Sequence, residues 1–206
     1  MTMFTQRAGL GSAVRGLCAA LGLAALAACG QPELPTDHYY RLQAAQPSPF
    51  AQPVFKGTIE VNRFTADGLV AGRPIVYTEP DQPHQVKEYH YHFWTEPPTI
   101  LLRDQLVAYL RAAKIADTVT TPEMRANADY VLTGRIIRLE KIEGAAPKGA
   151  LEIELGVRSG GGKIVFLDVY KLEVAADNNS VEAGVRALNQ ALDRTYAKFT
   201  ADLSRK

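Results

Sequence analysis

An apolar stripe near the C-terminus is the feature that most restricts what this chain can fold into. Its members recur at spacings of three and four residues, and they are Val181, Val185, Leu188, Leu192, Tyr196, Phe199 and Leu203. This spacing places all of them on one face of a long α-helix. Asn179 or Ser180 can cap the helix, and Glu182 follows Asn179 at the spacing of a capping box. The stripe must be buried, so a sheet or another protein has to cover it.

Alternating apolar and polar residues predict that sheet. Strands are expected at 38–42, 58–64, 73–78, 85–94, 116–121, 130–142, 151–158 and 163–174. Glu140, Lys141 and Glu143 indicate that the far end of the 130–142 strand is exposed to solvent.

A second helix is expected after Pro97 and Pro98, because proline is tolerated in the first helical turn. Its apolar stripe consists of Leu102, Leu106, Leu110 and Ala113. The order of elements predicts an α+β fold with a mainly antiparallel sheet and two long helices packed on one face.

The N-terminal segment has the layout of a bacterial export signal. Arg7 and Arg15 precede an apolar stretch at 17–26 that is too short to span a membrane. Leu26-Ala27-Ala28-Cys29 then forms a lipobox, which predicts cleavage before Cys29, a diacylglycerol on its thiol and acylation of the new N-terminus. The alternative is an ordinary signal peptide with a cysteine at its cleavage site. Gly30 follows Cys29, which favours the periplasmic face of the outer membrane over retention at the inner one.

These signals predict three regions: a cleaved lipoprotein signal peptide at 1–28, a lipidated N-terminus and tether at 29–37, and a single domain at 38–206. Cleavage would leave 178 of the 206 residues and shift the formal side-chain charge from +1 to −1. Such a near-neutral chain argues against a nucleic-acid partner. The domain contains no cysteine beyond Cys29, which excludes disulfides and thiolate metal sites within it.

Candidate chemistry is sparse. His90 and His92 are two residues apart on a predicted strand and could share a metal, although solvated histidines on an edge strand are the commoner case. Ser159-Gly160-Gly161-Gly162 joins two strands and is better explained as a hairpin turn than as a phosphate loop. Glu152 and Glu154 alternate with apolar residues, as the solvated side of a sheet does. We therefore expect no catalytic site, no metal and no cofactor.

The aromatic segment 89–94 is the remaining candidate for recognition. Strand alternation would put Tyr89, Tyr91 and Phe93 on one face and His90, His92 and Trp94 on the other. Tyrosine and tryptophan are enriched at protein interfaces. Tyr91, Trp94 and Pro97 are therefore candidates for contact with a partner or for self-assembly, with burial in the core as the alternative.

A resemblance to a known family rests on an ordered set of segments. After the lipobox these are Tyr39-Tyr40-Arg41-Leu42, Ile59-Glu60-Val61, Arg73-Pro74-Ile75-Val76-Tyr77, and Tyr91-His92-Phe93-Trp94-Thr95-Glu96-Pro97-Pro98 followed by Leu101, Leu102, Leu106 and Leu110. The chain resembles the ABC-type transport auxiliary lipoproteins, the PqiC-like family, from about residue 37 to 203. Family members often have alanine where Thr95 stands.

The resemblance implies a non-enzymatic periplasmic partner of an MCE-type lipid transport system. In that role the lipoprotein docks the MCE assembly at the outer membrane, and its copies can form a homo-oligomeric ring. Two alternatives remain open on the residues alone. One is a pilotin-like or lipopolysaccharide-transport-like assembly factor for an outer-membrane pore or barrel. The other is a lipid- or metal-dependent enzyme that uses His90 and His92.

Overall fold

The structure is a computed structural model that describes residues 35–205, of which those from Asp37 onward form one compact unit. The predicted signal peptide and Cys29 lie outside the described residues. The strands are β1 His38–Tyr40, β2 Phe55–Val61, β3 Thr65–Ala66, β4 Pro74–Glu79, β5 Gln82–Trp94, β6 Ala116–Thr120, β7 Tyr130–Ile142, β8 Lys148–Ser159 and β9 Ile164–Ala175. The helices are α1 Pro98–Ala113 and α2 Val181–Leu203, with 3₁₀ turns at Gly68–Ala71 and Pro122–Met124. Within 35–205, neither helix combines the length and apolarity of a membrane span.

Strand β7 is the centre of the sheet. On one edge it pairs antiparallel with β8, which in turn pairs antiparallel with β9. The other edge is shared by β2, β3 and β4, which pair with successive parts of β7 in parallel. Beyond β2 lies parallel β6, and beyond β4 lie antiparallel β5 and then parallel β1. The 13-residue length of β7 is what allows three strands to share a single edge.

The prediction of a mainly antiparallel sheet is wrong. Among the described strands, five pairings are parallel and three are antiparallel. Alternation reports which side chains are buried and carries no information on the direction of the neighbouring strand. The α+β composition, the two helices and the single domain are confirmed.

Helix α2 buries its apolar stripe as predicted, and every member of the stripe is at most 8% exposed. Ser180 is the cap, since its hydroxyl accepts a hydrogen bond from the Ala183 N–H. The helix approaches the sheet closely at Gly149, where a Cβ atom would lie 2.7 Å from the Leu188 nitrogen. A side chain at this position would push the helix off β8.

The two helices also hold each other. The buried Tyr196 hydroxyl donates a 2.6 Å hydrogen bond to the Leu102 carbonyl of α1. The rings of Tyr109 and Tyr196 meet edge to face at 5.6 Å. These contacts fix α1 against α2, and through α2 against the β7–β9 part of the sheet.

Candidate functional site

The short strand β1 and the end of β5 form the part of the body next to the predicted tether. His38, Tyr39 and Tyr40 lie opposite His92, Phe93 and Trp94 in parallel register. Because side chains alternate across a strand, each of these pairs shares one side of the sheet. The two sides have different chemistry: one is an exposed aromatic surface and the other is a polar network against α2.

The exposed side carries Tyr39, Phe93 and Arg73, and the exposed Tyr91 lies close to them along β5; we call these four residues the aromatic face. Tyr39 is 55% exposed and its ring lies 5.8 Å from that of Phe93. The Arg73 guanidinium sits over the Tyr39 ring at 5.5 Å, within the range of a cation–π contact. Tyr91 precedes Phe93 by two residues and is 44% exposed. The chain thus exposes tyrosine rings close to Asp37, where the predicted tether ends.

The opposite side ties β1 to the start of α2. The Tyr40 hydroxyl donates to Glu182 Oε1 at 2.9 Å and lies 2.8 Å from His92 Nδ1. The hydroxyl has a single proton, so the His92 ring donates from Nδ1. Burial and the neighbouring ring of His38, which stacks on His92 at 5.0 Å, both lower the pKa of His92. Burial and Glu182 raise the pKa of Tyr40 to about 12.

A bulge in β5 overturns the predicted alternation of the aromatic segment. Pro74 of β4 lies opposite Phe93, whereas Val76 lies opposite Glu88, so β5 holds three extra residues between these pairs. Tyr89 and His92 consequently meet edge to face at 5.4 Å, although alternation assigned them to opposite faces. His90 is exposed and lies near the Tyr91 ring.

The three predicted contact residues have different surroundings. Trp94 is 1% exposed and belongs to the hydrophobic core. Its backbone N–H donates to the Arg73 carbonyl at 2.7 Å, and Arg73 Nε donates to the Trp94 carbonyl at 3.1 Å. Pro97 is half-buried and caps the start of α1. Tyr91 presents an exposed ring. A direct contact through Trp94 would require this part of the core to open, whereas contact through Tyr91 or Pro97 stays a prediction.

The expected solvent exposure of the β7 end is wrong: Glu140 and Lys141 are buried, and Glu143 is half-buried. Lys141 and Glu143 belong to one polar cluster. Lys141 is 1% exposed, and its Nζ donates to Glu143 Oε1 at 3.0 Å, Asn179 Oδ1 at 2.9 Å and the Tyr89 hydroxyl at 3.2 Å. Tyr89 also donates to Glu143. Lys141 follows the buried Leu139 by two residues, and this spacing was the sequence signal for an inward side chain.

The electrostatics of this cluster favour the ion pair. Burial alone would raise the pKa of Glu143, but hydrogen bonds from Tyr89 and Lys141 outweigh it and hold that pKa below its usual value. Burial and the hydrogen bond to Glu143 raise the pKa of Tyr89. The cluster joins β5, β7 and the loop before α2. All of these bonds lie within the chain, so the cluster stabilises the same end of the body as the Tyr40–Glu182 contact.

The outer face of β9 divides into an apolar half and a charged half. Ile164, Leu167 and Val169 are 64%, 56% and 45% exposed. Further along the strand, Lys171 lies 3.0 Å from Glu152, which confirms that the acidic residues of β8 are on the solvated side. The glycine-rich segment before β9 is the predicted hairpin turn, closed by the Ser159 N–H donating to the Lys163 carbonyl.

The predicted metal pair is not brought together with further ligands. Across residues 35–205, no group of three or more histidine, cysteine, aspartate or glutamate side chains is placed to hold an ion. The His92 ring instead donates its Nδ1 proton to Tyr40, and the His90 ring lies beside the Tyr91 ring. This region therefore consists of the exposed aromatic face and two polar networks, one around Tyr40 and one around Lys141.

Comparison with known proteins identifies the family. No curated protein matches the chain. The crystal structure of protein XCC0632 from Xanthomonas campestris matches with a TM-score of 0.69 at 19% identity, covering 79% of this chain and 92% of that one. A second crystal structure, of an uncharacterized protein, matches with a TM-score of 0.64 at 19% identity over 82% and 100% of the two chains. The family model for the ABC-type transport auxiliary lipoprotein component matches residues 40–198. The chain therefore belongs to the family of ABC-type transport auxiliary lipoproteins.

Proposed function

We propose that this protein is a non-enzymatic lipoprotein of an MCE-type ABC lipid transport system, anchored at Cys29 in the outer membrane, where it docks the MCE assembly. The observation that carries the proposal is the family match over residues 40–198. The predicted lipobox supports it, because it ties the matched domain to a membrane through its first mature residue. Phospholipid would pass between the docked assembly and the membrane.

The tether gives this arrangement a physical advantage. Residues 29–37 include Pro32 and Pro35, and this short segment would limit the reach of the tether to roughly 3 Å per residue. A receptor held so close to its membrane raises the effective concentration of the partner that approaches that membrane. Docking then needs only modest intrinsic affinity. Assembly of several copies into a ring, which we include in the proposal, would raise the number of contacts further.

The polar groups of the body support a non-enzymatic role. Lys141 is the fully buried charged side chain of the Tyr89–Glu143 cluster, and its ammonium is hydrogen-bonded to three partners within the chain. A catalytic group needs a proton or a lone pair directed at a substrate. The protons of the Lys141 ammonium are directed at Tyr89, Glu143 and Asn179 instead.

The experiment that tests the proposal is photo-crosslinking of the full-length lipoprotein in intact cells. A photo-reactive residue replaces Tyr91 in one variant and Lys171, at the other end of the sheet, in a second. Trapped proteins are identified by mass spectrometry, and Cys29→Ser serves as the unanchored control. Recovery of an MCE protein from the anchored variants, reduced in the control, supports the proposal. Recovery of a secretin or β-barrel without any MCE protein would replace it with the assembly-factor function.

A further inference from the structure

We infer that the aromatic face, formed by Tyr39, Phe93, Tyr91 and Arg73, rests on the headgroup region of the phospholipid bilayer in which Cys29 is anchored. The inference rests on the anchoring part of the proposed function. It adds a second membrane attachment, made by the folded body itself, and gives the body a definite orientation.

The length of the tether restricts which surface can reach the bilayer. At roughly 3 Å per residue, residues 29–37 span about 27 Å when fully extended. A compact unit of this chain length has a diameter of about 40 Å. The tether joins the body at Asp37, two residues before Tyr39. The surface opposite Asp37 is therefore out of reach, whereas the surface around β1 is held within a tether length of the headgroups.

The aromatic face lies at the tethered end, and the apolar half of β9 lies at the other. Tyr40 of β1 bonds to Glu182 in the first turn of α2, while Phe166 of β9 packs against Phe199 near its last turn, with ring centroids 5.7 Å apart. Seventeen residues separate Glu182 from Phe199 in sequence, which corresponds to about 26 Å along a helix. The exposed Leu167 on β9 is thus a comparable apolar side chain outside the region favoured by the tether.

The chemistry of the aromatic face suits a membrane interface. Tyrosine is enriched at the headgroup level, where its ring meets the apolar region and its hydroxyl stays hydrated. Tyr39 is arranged in this way, with its ring between Phe93 and Arg73 and its hydroxyl donating to Asp37 at 3.3 Å. The single guanidinium of Arg73 can meet a lipid phosphate. Arg73 and Asp37 balance in charge, so the contact depends on aromatic burial more than on anionic lipid.

A membrane contact also explains why these rings are exposed in the body. The other side of the same two strands is fully used by the Tyr40–His92–Glu182 network and by Trp94 in the core. On the exposed side the Tyr39 side chain is about half uncovered, and the neighbouring Tyr91 is about half uncovered as well. The proposed tether would keep both close to the bilayer. Binding to that surface loses little additional entropy, because the tether has already confined the body near it.

The test uses the full lipidated protein in vesicles of phosphatidylethanolamine and phosphatidylglycerol that contain a headgroup spin-labelled lipid. Tryptophan is introduced by Tyr39→Trp, by Tyr91→Trp and, as the matched control, by Leu167→Trp. Trp94 is the only natural tryptophan and is buried, so wild-type protein gives the background. Circular dichroism and the unfolding midpoint establish that each variant is folded.

The expected result is a loss of fluorescence for Y39W and Y91W on adding spin-labelled lipid, with little loss for L167W beyond the wild-type background. If the wild-type protein floats with vesicles but Y39W and Y91W are quenched no more than L167W, the aromatic face does not touch lipid and the inference is overturned, while the docking function is unaffected. Protection of both tryptophans by a bound MCE protein, without quenching by lipid, would assign the face to that protein and likewise overturn it. If the wild type fails to float, the anchoring premise itself is wrong.

Discussion

Replacing Lys141 with methionine should destabilise this fold far more than replacing a lysine on its surface. The Lys141 ammonium is buried and donates to three acceptors, on Tyr89, Glu143 and Asn179. Its aliphatic stem packs beneath Gly184, where an added Cβ would lie 2.7 Å from the Lys141 Cδ atom. Methionine preserves most of this stem, so Lys141→Met removes chiefly the charge and the three hydrogen bonds.

The magnitude follows from what the substitution leaves behind. Removing one partner of a buried ion pair costs about 3–5 kcal/mol, because the other charge stays without compensation. The Glu143 side chain is 24% exposed, so water can replace part of the lost bond. We therefore expect a loss of about 2–4 kcal/mol in the free energy of unfolding. The double variant K141M/E143Q should recover part of it, since it removes the buried carboxylate as well.

Lys148→Met is the matched control. Lys148 forms a 2.9 Å ion pair with Glu173, but its side chain is 43% exposed, and exposed pairs contribute about 0.2–1 kcal/mol. Urea unfolding can be followed by the fluorescence of the buried Trp94, with the denaturant slope compared between variants. A K141M protein that loses no more stability than K148M would refute the argument that the buried cluster stabilises this end of the body.

Three further outcomes are expected. Gly149→Ala should lower the free energy of unfolding by about 1–3 kcal/mol, because the new Cβ meets the α2 backbone at 2.7 Å; Gly161→Ala, whose nearest contact would be at 3.9 Å, should change it little. Because the pKa of Glu143 is lowered in the folded protein, its contribution to the free energy of unfolding is present above the ordinary glutamate pKa of 4.5 and is lost as the pH falls through the folded pKa. The free energy of unfolding of E143Q, measured in urea, should therefore depend less on pH in this acidic range. Tyr196→Phe should cost about 0.5–1.5 kcal/mol in thermal or urea unfolding, because it removes the buried hydrogen bond from the Tyr196 hydroxyl to the Leu102 carbonyl of α1.

The sequence predicted best the elements whose burial follows a single period. The stripe of α2 and the alternation of β8 are regular over many residues, so each indicates which side faces the core. The hairpin turn before β9 could also be predicted, because a short glycine-rich segment between two alternating segments is typical of a hairpin connection. The sequence therefore predicts which side chains are buried wherever the backbone is a regular helix or strand.

The failures come from irregular backbone and from long-range pairing. The bulge in β5 shifts the alternation of the aromatic segment, and nothing within residues 89–94 signals it. The charge of Lys141 predicts exposure to solvent, but its spacing from Leu139 points it inward. Its acceptors on Tyr89 and Asn179 come from segments distant in sequence, so the local pattern does not indicate them. Parallel pairing along β7 likewise depends on strands far apart in sequence, and residue patterns do not encode it. The aromatic face could not be predicted from the sequence, because it depends on the register that pairs Tyr39 of β1 with Phe93 of β5.

The end of the body next to the tether is fastened to the rest of the fold at several independent points. Tyr40 bonds to Glu182, and Lys141 bonds to Asn179 just before α2, so both networks join this end to the longest helix. The chain after β1 is held as well: the backbone N–H groups of Gln43, Ala44 and Ala45 donate to side chains of the two helices, namely Asn189, Gln105 and Asp193. Between these attachments, Leu42 is buried in the core. If the chain is anchored as proposed, a pull from the N-terminal side would have to break the β1–β5 pairing and the Tyr40–Glu182 hydrogen bond before β1 could separate. The attachments of residues 43–45 to both helices would then hold the rest of the chain. Under the proposal, this fastening keeps one face of the body directed at the bilayer.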